Sequence, residues 1–472
     1  MTRLRAASRA GRRADVGFDR GLIAPMILGS ILNPINSSML AVALTPIGRW
    51  FHVSPAQTAW LVTGLYLATA VGQPVIGRLV DTFGPRPLYL TGTALVGVAG
   101  LLGVLAPSLG VLVASRVLLG IGTSAAYPAS MFLLRAEADR TGMRSPSGIL
   151  AALSVSNQVI AVIGPALGGL LIGAGGWHLI FAVNVPLAAA CLLLGALRLP
   201  RRAAVPGSEA QGPAGPGSKA RVDAAGMVLF AGMLTAFMFF LMDLPARPAS
   251  GRRLLLVIAV LAGACFAVRE LRAAQPFLDL RILGGNVPLL ATYGRQLLAY
   301  TTSYAYLYGF PQWLTASAAG LLLLPMSASA IVVTMITGRR VEVRGKLLVG
   351  AATQIAGCAA LLWAGPGSAL WLLALVGVVI GVPQGLIGLA NQNALYAQAD
   401  PARMGSSAGL LRTFAYLGAL TASAADAAFY RHGATTGGLH GLSLLLLGIA
   451  VLLLVGVLAD RSLRRAGRAS TS

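Results

Sequence analysis

The sequence predicts an all-α integral membrane protein with fourteen transmembrane helices, arranged as two six-helix repeats with two inserted helices between them. Three observations support this prediction. Apolar runs of about 20 residues recur along the chain, and each is long enough to cross the hydrocarbon layer of a membrane. Of the 472 residues, 56% are hydrophobic and only 11% are charged, too few charges to cover a soluble protein of this size. Finally, loops of the two halves repeat at one constant offset of 261 residues.

The apolar runs give the bounds of the spans and their orientation. The predicted spans are 22–46, 57–78, 87–106, 109–133, 147–173, 178–197, 224–243, 254–269, 287–310, 318–338, 347–364, 368–390, 407–429 and 440–459. Of the 36 Lys and Arg residues, 28 fall in segments on one side of the membrane and five on the other. Since cytoplasmic loops are enriched in these residues, both termini are predicted to be cytoplasmic. The same bias explains the net charge of +22 without a nucleic-acid partner.

The repeat is visible in the loops. "AEADRTGMRSPSGIL" (136–150) returns as "AQADPARMGSSAGLL" (397–411), and "GRLVDTFG" (77–84) returns as "GRRVEVRG" (338–345), both at the same offset. Two copies of one six-helix unit, with a substrate site between them near the membrane midplane, are the plan of a rocking secondary transporter. A Pro/Gly/Ser-rich stretch marks the linker after the first copy. The predicted segments are a basic cytoplasmic N-terminus (1–21), an N-terminal six-helix bundle (22–197), a cytoplasmic linker (198–222), two inserted helices with the following loop (223–281), a C-terminal six-helix bundle (282–460) and a basic cytoplasmic tail (461–472).

Three motifs resemble those of the major facilitator superfamily. "GRLVDTFGPR" (77–86) resembles the signature between its helices 2 and 3, "RVLLGIGTSAAYP" (116–128) its helix 4 motif, and "GPALGG" (164–169) the helix 5 motif typical of antiporters. With fourteen predicted helices, the chain resembles the fourteen-helix drug/proton antiporter branch, of the multidrug resistance exporter type. This resemblance implies the major facilitator fold, the cytoplasmic membrane of a bacterium, and a proton as the coupling ion.

By resemblance, the first and third motifs supply gating residues. These are Gly77, Asp81, Gly84, Arg86, Gly164, Pro165, Gly168 and Gly169. Asp81 and Arg86 lie in a predicted cytoplasmic loop, where a pair of charges can latch one conformation and release another. The alternatives are a solvated turn for the first motif and plain helix packing for the third.

Ionisable residues within predicted spans are functional candidates. Arg116, Arg295 and Arg412 are the basic ones, and Asp243 and Asp426 are the acidic ones. The resemblance implies that Arg116 takes part in proton coupling or substrate contact. Asp243 and Asp426 are predicted to serve proton coupling, with two interfacial acids as the alternative. For Arg412 the alternative is a side chain that extends to the cytoplasmic headgroups.

The first span holds the polar stretch "NPINSS" (33–38). Its amides and hydroxyls are predicted to line a substrate cavity, while hydrogen bonds between helices are the alternative. By resemblance, the drug-exporter branch commonly has an Asp where this chain has Asn36. Because Asn cannot carry a proton, coupling must use Asp243, Asp426 or a proton of the substrate, or be absent. Three buried Arg against two peripheral acids favour neutral or anionic substrates over permanent cations.

The predicted cavity combines these groups with polar and aromatic residues of other spans. Its residues are Asn33, Asn36, Ser37, Ser38, Arg116, Tyr127, Asn157, Gln158, Arg295, Gln296, Tyr300, Tyr304, Gln384 and Asn391. Aromatic rings with a polar tip suit amphipathic ligands. The sequence therefore predicts a proton-driven exporter of small amphipathic molecules or antibiotics, in contact with membrane lipid. The alternative is a metabolite exporter or facilitator not driven by protons.

An enzyme is not predicted, because the sequence shows no phosphate-cradling loop, metal-ligand cluster or soluble domain large enough for chemistry. For the same reason no cofactor and no metal site are predicted. A periplasmic adaptor is left open as a partner.

Overall fold

The computed structural model describes residues 18–53, 55–58, 60–142, 146–201, 223–242, 249–273, 276–278, 280–313, 316–338, 340, 342–430 and 435–463, and in these residues the regular structure is helical. The long helices are α1 (Ile23–Phe51), α2 (Trp60–Phe83), α3 (Pro85–Val104), α4 (Leu109–Thr141, interrupted at 124–125), α5 (Ser147–Gly175), α6 (His178–Arg198, interrupted at 183), α7 (Ala224–Met242), α8 (Ala249–Arg272), α9 (Val287–Trp313), α10 (Ala316–Thr337), α11 (Val343–Leu361), α12 (Leu370–Gln398), α13 (Met404–Phe429) and α14 (Thr436–Ala459). Short helical turns occupy Arg20–Leu22, Pro55–Thr58, Leu280–Gly285 and Pro401–Arg403.

Within the described ranges, nine helices are long and apolar enough to cross a membrane, by length and composition. They are α1 to α6, α8, α12 and α14. The chain is therefore a multi-pass integral membrane protein built from helices, as the sequence predicts. The total of fourteen transmembrane helices stays a prediction.

The helices pack as two bundles with α7 and α8 beside them. In the first bundle, α1 packs against α5, α2 against α4, and α3 against α4 and α6. In the second, α12 packs against α10 and α11, and α14 packs against α9 and α11. The inserted helices α7 and α8 pack on each other, and α7 lies against α2 and α13.

The two bundles meet along α2 with α13 and α5 with α10, and α13 also packs against the second half of α4 and α12 against α5. At the first pair the backbones touch, since a Cβ atom on Gly77 would collide with the backbone of Gly405 and one on Gly409 would collide with that of Gln73. Small residues permit such close approach in a membrane, where packing rather than hydrophobic burial holds helices together.

A cluster of charged side chains lies where α7 begins and α8 ends. Arg269 donates to Asp223 Oδ1 at 2.7 Å, and the backbone N–H of Leu278 donates to Glu270 Oε2 at 3.0 Å. The remaining oxygens, Asp223 Oδ2 and Glu270 Oε1, are buried beside Gly226, face each other and have no donor among the described residues. Because two ionised carboxylates in contact repel, this arrangement requires one proton shared between them.

We expect Glu270→Gln to raise the melting temperature of the purified protein, with a gain that grows as the pH rises. The amide would still accept from Leu278, and its NH₂ group would replace the proton that the carboxyl pair loses at high pH. Thermal unfolding of both proteins across a pH series measures this. Glu270→Ala, which removes the contact, should be less stable than the unmodified chain, and a Glu270→Gln protein less stable at every pH would contradict the assignment.

Candidate functional site

The buried carboxylate of Asp81 connects the two bundles. It lies near the end of α2 and accepts hydrogen bonds from the backbone N–H groups of Gly405 at 2.7 Å and Ser406 at 2.8 Å. These groups belong to the first turn of α13, where backbone donors have no partner within the helix and the helix dipole favours a negative charge. We call Asp81, Gly405 and Ser406 the α2–α13 latch.

Arg86 does not join this latch. Its Nη2 donates to the backbone carbonyl of Ala196 on α6 at 2.8 Å. Gly84 separates the two charged residues with a φ of 87°, a left-handed conformation that ends α2 and directs the chain into α3. The structure therefore contains no pair of Asp81 with Arg86, and each side chain instead binds the backbone of a different helix.

The second pair of helices between the bundles has a hydrogen bond between side chains. Gln158 on α5 donates from Nε2 to Thr334 Oγ1 on α10 at 3.1 Å. Further along, a Cβ atom on Gly338 would meet the Ala151 side chain. The end of α10 and the start of α5 are thus in contact, on the same side of the protein as the α2–α13 latch.

A central cluster of one Arg, one Asn and five Tyr lies between the bundles. Asn33 on α1 donates from Nδ2 to Thr123 Oγ1 at 3.1 Å and to Thr69 Oγ1 at 3.3 Å. Its Oδ1 accepts from the hydroxyl of Tyr416 on α13 at 3.3 Å, and the Tyr416 ring lies 5.6 Å from that of Tyr66 on α2. The Asn33 side chain thus joins both bundles.

Arg412 completes this cluster. Its guanidinium lies over the ring of Tyr127 on α4, 4.2 Å from the ring centre, and interacts electrostatically with Tyr300, Tyr304 and Tyr416. The rings of Tyr300 and Tyr304 are 5.8 Å apart on α9. Four of the predicted cavity residues, Asn33, Tyr127, Tyr300 and Tyr304, therefore come together here. The members of the central cluster are Asn33, Tyr66, Tyr127, Tyr300, Tyr304, Arg412 and Tyr416.

Sequence reasoning did not assign Arg412, Tyr416 or Tyr66 to the cavity. For Arg412 the signal is present, because a charge within a span is a functional candidate, but its position near the predicted inner end of the span leaves an interfacial role equally open. The helix continues toward that end, to Met404, and places Arg412 two turns inside.

Asn36 and Arg116 are fully buried inside the first bundle. Asn36 Nδ2 donates to Asn184 Oδ1 at 2.6 Å, and Asn184 Nδ2 donates back to Asn36 Oδ1 at 2.9 Å, which joins α1 to α6. Arg116 donates to the backbone carbonyls of Leu61 at 3.2 Å and Asn36 at 3.4 Å. In this conformation both residues hold helices together, the alternative that the sequence left open for the polar stretch of α1.

Arg295 also binds its partners away from the central cluster. Its Nη1 lies 2.6 Å from Asp460 Oδ2 just beyond α14, and its Nη2 donates to Thr292 Oγ1 at 2.7 Å. The next residue, Gln296, accepts from Asn391 Nδ2 at 2.9 Å. These contacts fasten α9 to α14 and α12 within the second bundle.

The remaining predicted cavity and gating residues form hydrogen bonds or pack within one bundle. Ser37 and Ser38 donate to the carbonyls of Asn33 at 3.0 Å and Pro34 at 2.7 Å. Gly164 approaches Ser38, and Gly168 approaches Met39, so the motif that includes Pro165 seats α5 on α1, while Gly169 faces open space. Asn157 is half-buried on α5, and Gln384 donates to Met326 Sδ at 3.8 Å.

Of the two acids predicted to serve proton coupling, Asp426 lies within the described residues. Asp243 lies outside the described residues. Asp426 on α13 is 5% exposed, and neither of its carboxyl oxygens has a hydrogen-bond partner among the described residues. It packs against Gly309 of α9, where a Cβ atom would collide with the carboxyl group. An isolated buried charge is costly, so this carboxyl group is suited to changing its protonation state as access to water changes.

Known proteins resemble this chain in sequence and in fold. The family model described as Major Facilitator Superfamily matches residues 26–423. The uncharacterized MFS-type transporter YwoD of Bacillus subtilis (strain 168) is 33% identical over 84% of this chain and 86% of that protein. The Tetracenomycin C resistance and export protein of Streptomyces glaucescens is 31% identical over 56% of this chain and 47% of that protein. Among solved structures, the proton:xylose symporter XylE matches 92% of this chain and 94% of its own with a TM-score of 0.64 at 14% identity, a likeness of fold.

We expect the Asn36–Asn184 contact to stabilise the first bundle by about 1 kcal/mol, since hydrogen bonds between membrane helices contribute about this much. A double-mutant cycle of Asn36→Ala, Asn184→Ala and both together, followed by unfolding in detergent, measures the coupling. The double variant should cost less than the two single variants combined. Strictly additive costs would show that the two amides do not act as a pair.

We expect Asp81→Asn to loosen the first turn of α13, because Asn retains one acceptor oxygen but loses the charge and the second acceptor. Hydrogen–deuterium exchange at Gly405 and Ser406 should quicken by about tenfold, since a hydrogen bond to a charged acceptor contributes about 1.5 kcal/mol or more. Glu342→Gln is the matched control, because it removes the repeat-related, exposed charge at the start of α11. Equal exchange in both variants would remove Asp81 from the latch.

Proposed function

The chain belongs to the Major Facilitator Superfamily of membrane transporters, and on that premise we propose that it exports small amphipathic molecules, antibiotics among them, by alternating access. The observation that carries the proposal is the central cluster between two bundles that touch at one end. Aromatic rings with polar tips suit molecules with both apolar and polar parts. A contact at one end that can open while the opposite end closes is the geometry of a rocking transporter.

The α2–α13 latch supports the alternating part of this proposal. Its two hydrogen bonds run from a side chain of one bundle to the backbone of the other, so separation of the bundles at this end breaks both at once. The bonds therefore favour the conformation in which this end is shut. With the predicted orientation, the shut end is the cytoplasmic one, and both termini lie on that side of a bacterial cytoplasmic membrane.

The names of related proteins support export of an antibiotic. One relative is called the Tetracenomycin C resistance and export protein, and it shares 31% identity over 266 residues. The match covers about half of each chain, so the identity of the cargo comes from the site rather than from that relative. Small amphipathic molecules are the class that the central cluster fits.

We propose proton antiport as the driving process, with Asp426 as the proton carrier. This carboxyl group is buried, unpaired among the described residues and placed on α13, the same helix that carries Arg412 and the Gly405–Ser406 end of the latch. Protonation and conformational change can therefore act on one rigid element. The position that an Asp commonly takes in helix 1 of the resembling branch is here Asn36, which is held in a neutral amide pair.

The second candidate is a facilitator or metabolite exporter that protons do not drive. The same Asn36–Asn184 pair favours it, since an amide pair in the first bundle cannot bind and release a proton. The two candidates differ in one property, the response of transport to a pH gradient.

We expect a pH gradient to drive efflux of a fluorescent amphipathic dye from liposomes that contain the protein. Asp426→Asn should lower this rate to the value seen without a gradient, because the amide cannot be loaded with a proton. Asp139→Asn, which removes an exposed acid paired with Arg135, should leave the rate unchanged. A gradient-driven rate that persists in Asp426→Asn would exclude this acid as the carrier, and a rate that ignores the gradient in the unmodified protein would favour the facilitator.

A further inference from the structure

The three Arg residues within the predicted spans, Arg116, Arg295 and Arg412, differ in their partners. Arg295 forms an ion pair with Asp460, and Arg116 is fully buried, with Nε and Nη2 donating to backbone carbonyls and Nη1 without a partner among the described residues. Arg412 is half-buried and has no ion pair in the described part of the chain. Of the two Arg residues without an ion pair in the described part of the chain, Arg116 lies inside the first bundle and Arg412 lies between the two bundles.

The surroundings of Arg412 stabilise a cation without neutralising it. The guanidinium carbon lies 4.2 Å from the centre of the Tyr127 ring, a cation–π contact that stabilises the charge. Among the described residues the partners of the Arg412 guanidinium are tyrosines, and no carboxylate accepts from its N–H donors. A planar fork of donors matches the two oxygens of a carboxylate, or one phenolate oxygen, and Arg is the residue that recognises such groups best.

No acid belongs to the central cluster. The nearest acid along the same helix, Asp426, is fourteen positions further on, about 21 Å along a helix. A cationic molecule entering the cluster would therefore meet an unneutralised guanidinium without a counter-charge, which raises the free energy of its binding. An anion would complete a charge pair in a membrane interior, where unpaired charges are costly.

The rings around Arg412 add a preference for flat ligands. Tyr66 and Tyr416 form one pair of rings 5.6 Å apart, and Tyr300 and Tyr304 form a second pair 5.8 Å apart, so rings from both bundles surround the cation. Ring pairs at this spacing present faces and edges against which a further aromatic ring can pack.

We propose that the central cluster binds aromatic anions, with Arg412 holding a carboxylate or phenolate and the Tyr rings packing against the aromatic body. This inference rests on the proposed function, because it names the class of molecule that the exporter takes. Arg412 is the specificity-determining residue of the site. A ligand held this way touches α4, α9 and α13 together, so its binding affects both bundles.

The experiment compares fluorescein with rhodamine 123, two dyes with the same tricyclic frame and opposite charge. Fluorescence polarisation with the purified protein in nanodiscs measures the binding of each. We expect the unmodified protein to bind fluorescein at least about tenfold more tightly than rhodamine 123, since a charge-assisted contact of about 1.4 kcal/mol or more corresponds to that factor. Arg412→Gln should lower fluorescein affinity about tenfold and leave rhodamine 123 affinity equal or higher, with Arg412→Lys in between. Arg49→Gln, an exposed Arg at the far end of α1, is the matched control.

The inference is overturned if the unmodified protein binds rhodamine 123 as tightly as fluorescein, a comparison that depends on no variant. It is also overturned if Arg412→Gln, eluting as a folded protein, keeps the full affinity for fluorescein. Liposome transport separates this inference from the proposed function. Selective fluorescein binding without transport would contradict the exporter and support the anion site, whereas dye transport without a preference for the anion would do the reverse.

Discussion

The structure depends on one constraint, the cost of a charged group in a membrane interior. Three ionisable side chains inside the bundles each meet a different compensating partner. Asp81 binds the N–H groups that begin α13, Arg295 binds Asp460, and Arg116 binds backbone carbonyls. The Arg116 contact lies within the first bundle and the Arg295 contact within the second, and each stabilises its own bundle. The Asp81 contact instead joins the two bundles. The same electrostatic requirement thus produces a rigid unit in one place and a separable joint in another.

The sequence predicts the helical class, the membrane location and the family, because long apolar runs, loop charges and the 261-residue repeat are local or periodic signals. It also identifies Asp81 from a motif. It does not identify the partners, since Gly405 lies 324 positions away and Arg86, five positions away, is directed elsewhere by Gly84. Which side of α1 faces the first bundle is likewise set by packing, and this places Asn33 in the central cluster but buries Asn36 against Asn184.

The two contacts between the bundles are related by the repeat but differ in chemistry. Adding 261 positions maps α2 and α5 onto α10 and α13, so the α2–α13 and α5–α10 pairs are counterparts. One contact holds a buried carboxylate against two backbone donors, while the other relies on a bond between neutral side chains, Gln158 and Thr334. Glu342, the counterpart of Asp81, is exposed at the start of α11. The repeat has therefore kept the same pairing of helices while placing the electrostatic contact on one side only.

The use of backbone donors at the α2–α13 latch determines how the site tolerates sequence variation. Every residue except Pro supplies a backbone N–H group, so these two backbone donors do not depend on side-chain identity, whereas the Ser406 side chain adds a further interaction with Asp81. Position 405 is limited by size instead, because a Cβ atom there would lie 2.7 Å from Asp81 Oδ1 and 2.7 Å from the Gly77 carbonyl oxygen. The latch is thus asymmetric in its mutational sensitivity: the α2 side must keep a carboxylate, while the α13 side depends mainly on its helix start and on the small volume at position 405.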